Sequence, residues 1–213
     1  MLTIHTAGLL VTGDRRPALP DGAVLVDGRA CAAVGPYEEL AAAHPTARVR
    51  RWPGLLTPGL LNPYGPELLE QAYHPDPREA DELGTQPIVG EALAEPALSD
   101  TRRGASARRG VQRMLAHGTV AVAGALTRPA VVDAVYRAGL KLRERSGDPE
   151  GPPALDPLAG RSLAEALATP LPVPGADATF AVFDVPDEAA LTERGAATCV
   201  ATVVAGRLVH RRR

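Results

Sequence analysis

The sequence predicts a mixed α/β chain, with strands at both ends and a strand–helix–strand–helix run between them. Three observations carry this reading. Short Ala/Val/Leu-rich runs set off by Gly and Pro turn signals fill residues 1–54 and return after residue 177. Two segments with apolar residues at helical spacing, 99–117 and 129–139, flank a buried strand pattern at 119–123. Finally, 45% hydrophobic and 23% charged residues over 213 positions are enough to bury a sizeable core.

Taken in order, residues 23–26 and 30–34 form a hairpin about Asp27-Gly28, a dipeptide suited to the positive φ of a two-residue loop. Pro36 opens a short helix through Glu38, Glu39 and Leu40 that stops before Pro45, because proline is tolerated in a first helical turn. Residues 49–52 form a strand closed by Pro53-Gly54, and 55–62 reads as a buried strand that Pro58 restricts. Residues 63–97 are rich in Pro, Glu and Gly, with helical character only at 88–95. Ser99 caps a helix running to His117, whose apolar stripe is Ala107, Val111, Met114 and Leu115 and whose left-handed stop is Gly118. Thr127 and Pro129 open a second helix carrying Val131, Val132, Val135 and Ala138, ending at Gly139. Residues 146–160 and 169–176 read as Pro/Gly-rich connectors around one or two helical turns at 162–168. Strands return at 178–183 and at 198–204, the latter pairing across Ala205-Gly206 with 207–210.

Charge and composition exclude several classes. The net charge of −2 lacks the basic surplus of a nucleic-acid binder. Lys141 is the only lysine; arginine supplies the other basic side chains. Cys31 and Cys199 alone cannot build a disulfide scaffold, which fits a reducing, cytoplasmic setting. No basic–apolar leader and no run of ~18 apolar residues is present, so neither secretion nor a membrane span is expected.

Three ordered segments resemble the metal-dependent amidohydrolase superfamily, especially its imidazolonepropionase-like and deaminase-like members. They are VLVDGRACAAVGP with the following short helix and LLTPGLLNPYGPEL, then GVQRMLAHGTVAVAG, then PGADATFAVFD with VATVVAGRLVHRR. The resemblance implies a composite β-sandwich from residues 1–54 with 177–213, and an incomplete (β/α) barrel fragment at 55–145. Residues 146–176 remain as a linker. A complete barrel takes about 250 residues, which the interior of this chain does not supply. The family places a His-x-His metal pair after Pro-Gly-x-x-Asn-x. Pro58-Gly59-Leu60-Leu61-Asn62 keeps that context, but Tyr64 and Pro66 stand at the two histidine positions. No metal ligand, catalytic Asp or zinc cofactor therefore carries over to this chain.

The remaining candidates are read from the residues. His74, near Glu67 and Glu70, reads as part of a solvated acidic loop, and His117 as a helix-end cap. His5, His44 and His210 have no partner that the sequence names, and Cys31 and Cys199 read as buried small hydrophobes. There is no GxGxxG, P-loop or Gly-x-Ser-x-Gly elbow, and Arg211-Arg212-Arg213 reads as a solvated tail. A ligand pocket, if present, belongs at the C-terminal ends of the barrel-type strands, with Asn62, Tyr64, Glu67, Thr127 and Arg128 at its mouth. The expected function is that of a metal-free, non-catalytic amidohydrolase-like protein acting by small-molecule binding or assembly. The alternative is a hydrolase of non-peptide carbon–nitrogen bonds with its site completed by a partner subunit. The expected partners are a second copy in a homodimer, joined through open strand edges, or a full-length amidohydrolase.

Overall fold

The structure, a computed structural model, describes residues 1–94, 98–145, 147–171 and 176–212. It opens with β1 (Leu2–Thr6), the two-residue strands β2 (Leu9–Leu10) and β3 (Leu19–Pro20), and the hairpin β4 (Gly22–Asp27) with β5 (Ala30–Pro36). The hairpin turn is Gly28-Arg29, one residue later than the Asp-Gly signal suggests. Asp27 already pairs with Ala30, and Gly28 supplies the positive φ of 58°. Helix α1 (Tyr37–Ala43) and β6 (Arg48–Arg51) follow.

The apolar run 55–62 is two strands rather than one: β7 (Leu55–Pro58) and β8 (Leu60–Asn62), which lie in different sheets. Gly59 is the crossing point. A Cβ there would lie 2.3 Å from a Val120 methyl, so only glycine lets the two layers approach this closely. Short pieces come next: α2 (Gly65–Leu69), β9 (Ala72–Tyr73), α3 (Ala80–Leu83) and β10 (Ile88–Val89). The helix expected over 88–95 is instead β10 followed by a 3₁₀ turn at Gly90–Ala94; residue 95 lies outside the described residues.

Helix α4 (Asp100–Leu115) starts where Ser99 accepts the Arg102 amide hydrogen at 3.3 Å, and its expected stripe of Ala107, Val111, Met114 and Leu115 is buried. Gly118, at φ 72°, turns the chain into β11 (Thr119–Ala123). Helix α5 (Pro129–Ala138) ends on left-handed Gly139 and leads into β12 (Lys141–Arg143), a strand too short and polar for the sequence pattern to signal. The chain finishes with α6 (Leu163–Ala166), β13 (Phe180–Phe183), α7 (Glu188–Arg194), β14 (Cys199–Val204) and β15 (Arg207–Arg211).

The largest sheet has the order β15-β14-β13-β7-β2-β3, so strands from both ends of the chain share it, joined where β7 pairs antiparallel with β13. A four-stranded sheet, β5-β4-β1-β6, faces it. Val24, Val26 and Cys31 from one layer pack against Leu56, Phe180, Val182 and Val203 of the other. The third sheet, β12-β11-β8, is parallel, and α4 and α5 cover one of its faces through Val111, Met114, Val131 and Val135. Three parallel strands close no barrel.

The segment 146–176 corrects the reading as a linker. Leu158, Leu163, Ala166 and Leu171 are buried, the first three in one cluster with Leu60, Phe183 and Leu191. Leu167 bridges to Leu60, the Ala168 amide donates to the Gly59 carbonyl at 2.9 Å, and the Leu171 amide donates to the Thr12 carbonyl at 2.7 Å. Residues 146 and 172–175 of this stretch, and Arg213 of the basic tail, lie outside the described residues. No described helix is long and apolar enough to cross a membrane.

Candidate functional site

The site suggested by the sequence lies at the C-terminal ends of β8 and β11, where a parallel sheet presents its loops. Asn62 closes β8 and is fully buried. Its Oδ1 accepts the Tyr64 amide hydrogen at 2.9 Å, a local turn of the kind asparagine favours. Its Nδ2 donates to the carbonyls of Ala154 at 2.9 Å and Leu155 at 3.3 Å. Tyr64, the residue before α2, is buried; its hydroxyl donates to the Glu150 carbonyl at 2.5 Å, with the Gly151 carbonyl at 3.2 Å as a second acceptor. Pro66 sits in the first turn of α2, a place that suits its fixed φ. The backbone of residues 150–155 therefore lies over the strand ends, where its carbonyls saturate the donors of Asn62 and Tyr64.

Glu67 pairs with Arg145, ahead of that segment. Its Oε1 accepts from Arg145 at 2.7 Å, and Arg145 also donates to the Pro63 carbonyl at 3.3 Å and reaches Asp148 at 3.4 Å. Glu67 holds the Arg145 guanidinium more firmly protonated than an isolated arginine. The second oxygen of Glu67 is buried and meets no donor among the described residues. Thr127 and Arg128 are exposed and lie apart, at the start of α5. Their amides donate to the Glu70 carboxylate at 2.8 and 2.7 Å, and the Thr127 hydroxyl donates at 3.1 Å. Glu70, the residue ending α2, thus caps α5 from outside that helix. Three of the five residues converge on 145–155; the other two serve a helix terminus.

The histidines are structural in their contacts. His74 is fully buried, which corrects its reading as part of a solvated loop. Its backbone amide donates to Ser106 Oγ at 2.8 Å, Arg109 donates to its carbonyl at 2.8 Å, and Nε2 lies 2.8 Å from the Leu68 carbonyl. Burial foremost, with Arg113 and Arg109 nearby, lowers the pKa of this imidazole below the usual value. His117 Nδ1 meets the Arg113 carbonyl at 2.8 Å near the end of α4. Both cysteines are buried and unpaired, and burial raises both thiol pKa values. Among the described residues no three of His, Cys, Asp and Glu come together in a group that could hold a metal ion. The donors at the strand ends, an amide, a phenol and a single arginine-bound carboxylate, do not fit a hydrolytic zinc, which takes three His or carboxylate ligands and keeps one open position.

Sequence reasoning missed Arg145 and the backbone of 150–155. Arg145 directly precedes the stretch SGDPEGPPALDPLAG that holds 150–155, and this stretch has no period, so nothing in it marks which residues turn inward.

The model of the imidazolonepropionase-like composite domain of bacteria matches residues 22–47, the span of β4, β5 and α1. The match falls on the first of the three segments that carry the resemblance in the sequence. No curated protein sequence matches the chain. Among solved structures, A. niger ochratoxinase is 20% identical with a TM-score of 0.46, the alignment covering 67% of this chain and 31% of that one. Helicobacter pylori aminofutalosine deaminase is 14% identical with a TM-score of 0.43, covering 68% and 33%. E. coli guanine deaminase is 18% identical with a TM-score of 0.45, covering 70% and 38%. The chain spans about a third of the length of these structures.

Proposed function

We propose that this chain is a shortened amidohydrolase-like protein that binds a small molecule and does not perform metal-assisted hydrolysis. One observation carries the reading. The chain's own residues 150–155 take up the hydrogen-bonding capacity of Asn62 and Tyr64 at the strand ends, where a hydrolytic centre would need ligands and an open coordination position. The composite-domain match at 22–47 supports the ancestry, and the shared N- and C-terminal sheet agrees with a composite β domain beside a barrel fragment. Binding is the mode of action we favour, and one edge of the parallel sheet is already taken up within the chain. Residues 167 and 168 lie along β8, a strand edge that a second copy would otherwise cover.

Metal analysis of the purified protein, with ammonia release from imidazolone, aminopurine and adenosine-like substrates, tests this. The expected result is below about 0.1 equivalents of transition metal per chain and no turnover, given the donor set. Metal-dependent ammonia release from any of these substrates would overturn it.

A further inference from the structure

The parallel sheet stops at β12, whose outer edge has no neighbouring strand among the described residues. Near the starts of the sheet's strands, reached by Gly59, Val120, Ala121 and Lys141, lies a cavity of about 470 Å³, within the size range of small-molecule sites. Its walls come from the end of α5, the β4–β5 turn, residues 168–171 and the β14–β15 turn. Val120, Val204 and Val209 supply apolar lining.

The charged lining is almost wholly cationic, Arg29, Arg137, Lys141, Arg143 and Arg207 with Asp177 the one carboxylate, and Tyr136, Thr169 and Thr179 add hydroxyls. Arg29 grips Asp177 through Nε at 2.8 Å and a second nitrogen at 3.1 Å, and Arg137 pairs with Asp133 at 3.0 Å. These two guanidinium groups are neutralised. Arg143 reaches only the Thr169 hydroxyl, at 3.3 Å, and Lys141 and Arg207 form no ion pair among the described residues. Five cations thus share one carboxylate, Asp177, which Arg29 grips and whose charge Lys141 also feels, around an apolar-lined cavity in a chain whose net charge is −2. Like charges gathered around one cleft repel, and an anion placed between them turns that repulsion into attraction, most strongly at low ionic strength because these side chains are exposed. Arginine and lysine together suit a phosphate or carboxylate group, while the valines suit a carbon skeleton.

We propose that this cleft binds a small organic anion carrying at least two negative charges. The inference rests on the small-molecule reading above and gives it a place, remote from the strand ends holding Asn62 and Tyr64. The anionic group would sit among Lys141, Arg143 and Arg207, and the body of the ligand would lie on Val204 and Val209.

Calorimetric titration of the full chain at low ionic strength with pyrophosphate, citrate and a nucleoside monophosphate tests it. Amide chemical shifts locate any binding. The expected result is saturable binding of at least one probe, with shifts centred on Gly139 and Gly206. Affinity should fall by about tenfold or more in Lys141→Ala/Arg207→Ala, the loss of charge-assisted contacts. It should stay unchanged in Arg48→Ala/Arg50→Ala, which removes two cations from β6, outside the cleft. Pyrophosphate against citrate decides whether the site prefers phosphate or carboxylate. Failure of all three probes to bind, shifts elsewhere, or equal weakening in both variants would overturn the proposal. None of these outcomes changes the metal content or ammonia release, so this failure is separable from failure of the non-hydrolytic reading.

Discussion

His5 makes acid stability a quantitative test of how the two β layers are held together. Its ring is 3% exposed, accepts the Trp52 indole N–H on Nδ1 at 3.1 Å, and meets Phe180 edge-on at 4.9 Å between centroids. The indole bond requires a lone pair on Nδ1, so the folded state holds the neutral ring. Burial foremost, then the Arg50 charge, lower its pKa from 6.5 to about 4. In the unfolded chain the ring takes up its proton near pH 6.5. The folded state therefore carries the full benefit above that value and loses it as pH falls toward 4. The difference of pKa corresponds to about 2.5 kcal/mol lost between neutral pH and about pH 4.5, a large share of a typical stability of about 5–15 kcal/mol. Urea unfolding followed by Trp52 fluorescence at several pH values measures it. His5→Gln keeps an acceptor for the indole but cannot titrate, so its stability should fall less with acid, by roughly that 2.5 kcal/mol. His74 and His210, whose pKa values are also lowered, contribute equally to both proteins and cancel in the difference. Parallel pH profiles for wild type and variant would refute the argument.

Two further perturbations probe the architecture. Tyr64→Phe removes one hydrogen bond to the 150–151 carbonyls and should cost about 1 kcal/mol, whereas Asn62→Ala strands buried partners on both sides and should cost about 2–3 kcal/mol. Both should hasten proteolytic cleavage within 147–155, and the reverse order of cost would mean that Asn62 does not anchor this segment. Deleting 177–213 removes β13, β14 and β15 and leaves β7 without its antiparallel partner, so the remaining chain should lose its cooperative thermal transition. A sharp transition in that shortened chain would show that the N-terminal strands fold unaided.

Local signals were most legible where chemistry and period agree. Ser99 and Gly118 bracket α4 because a hydroxyl cap and a left-handed glycine act within a few residues of the helix they end. Ala205 and Gly206 set the last hairpin in the same local way, both at positive φ. The split at Gly59 was hidden because an eight-residue apolar run looks alike whether it feeds one sheet or two. The close approach of Val120 that makes glycine necessary is visible only in three dimensions. His74 misled for a related reason. Its neighbours Pro75 and Asp76 are loop formers, yet α4 folds over it so tightly that a Cβ at Gly110 would lie 2.7 Å from its Nε2.

The Pro/Gly-rich stretch shows why the site was read by position but not by occupancy. Composition suggests a spacer, since prolines and glycines interrupt every regular period. Burial, however, needs only isolated leucines at the right points, and Leu158, Leu163 and Leu171 are far enough apart to leave no pattern. Backbone carbonyls supply the rest, since proline removes donors from a chain but never acceptors. Asn62 and Tyr64 are both donors toward this segment, so a stretch poor in N–H groups is chemically matched to them. A parallel sheet of three strands must cover its inner face with something. A segment of irregular backbone anchored by a few leucines does so within one chain, and it covers the strand ends as part of the same packing.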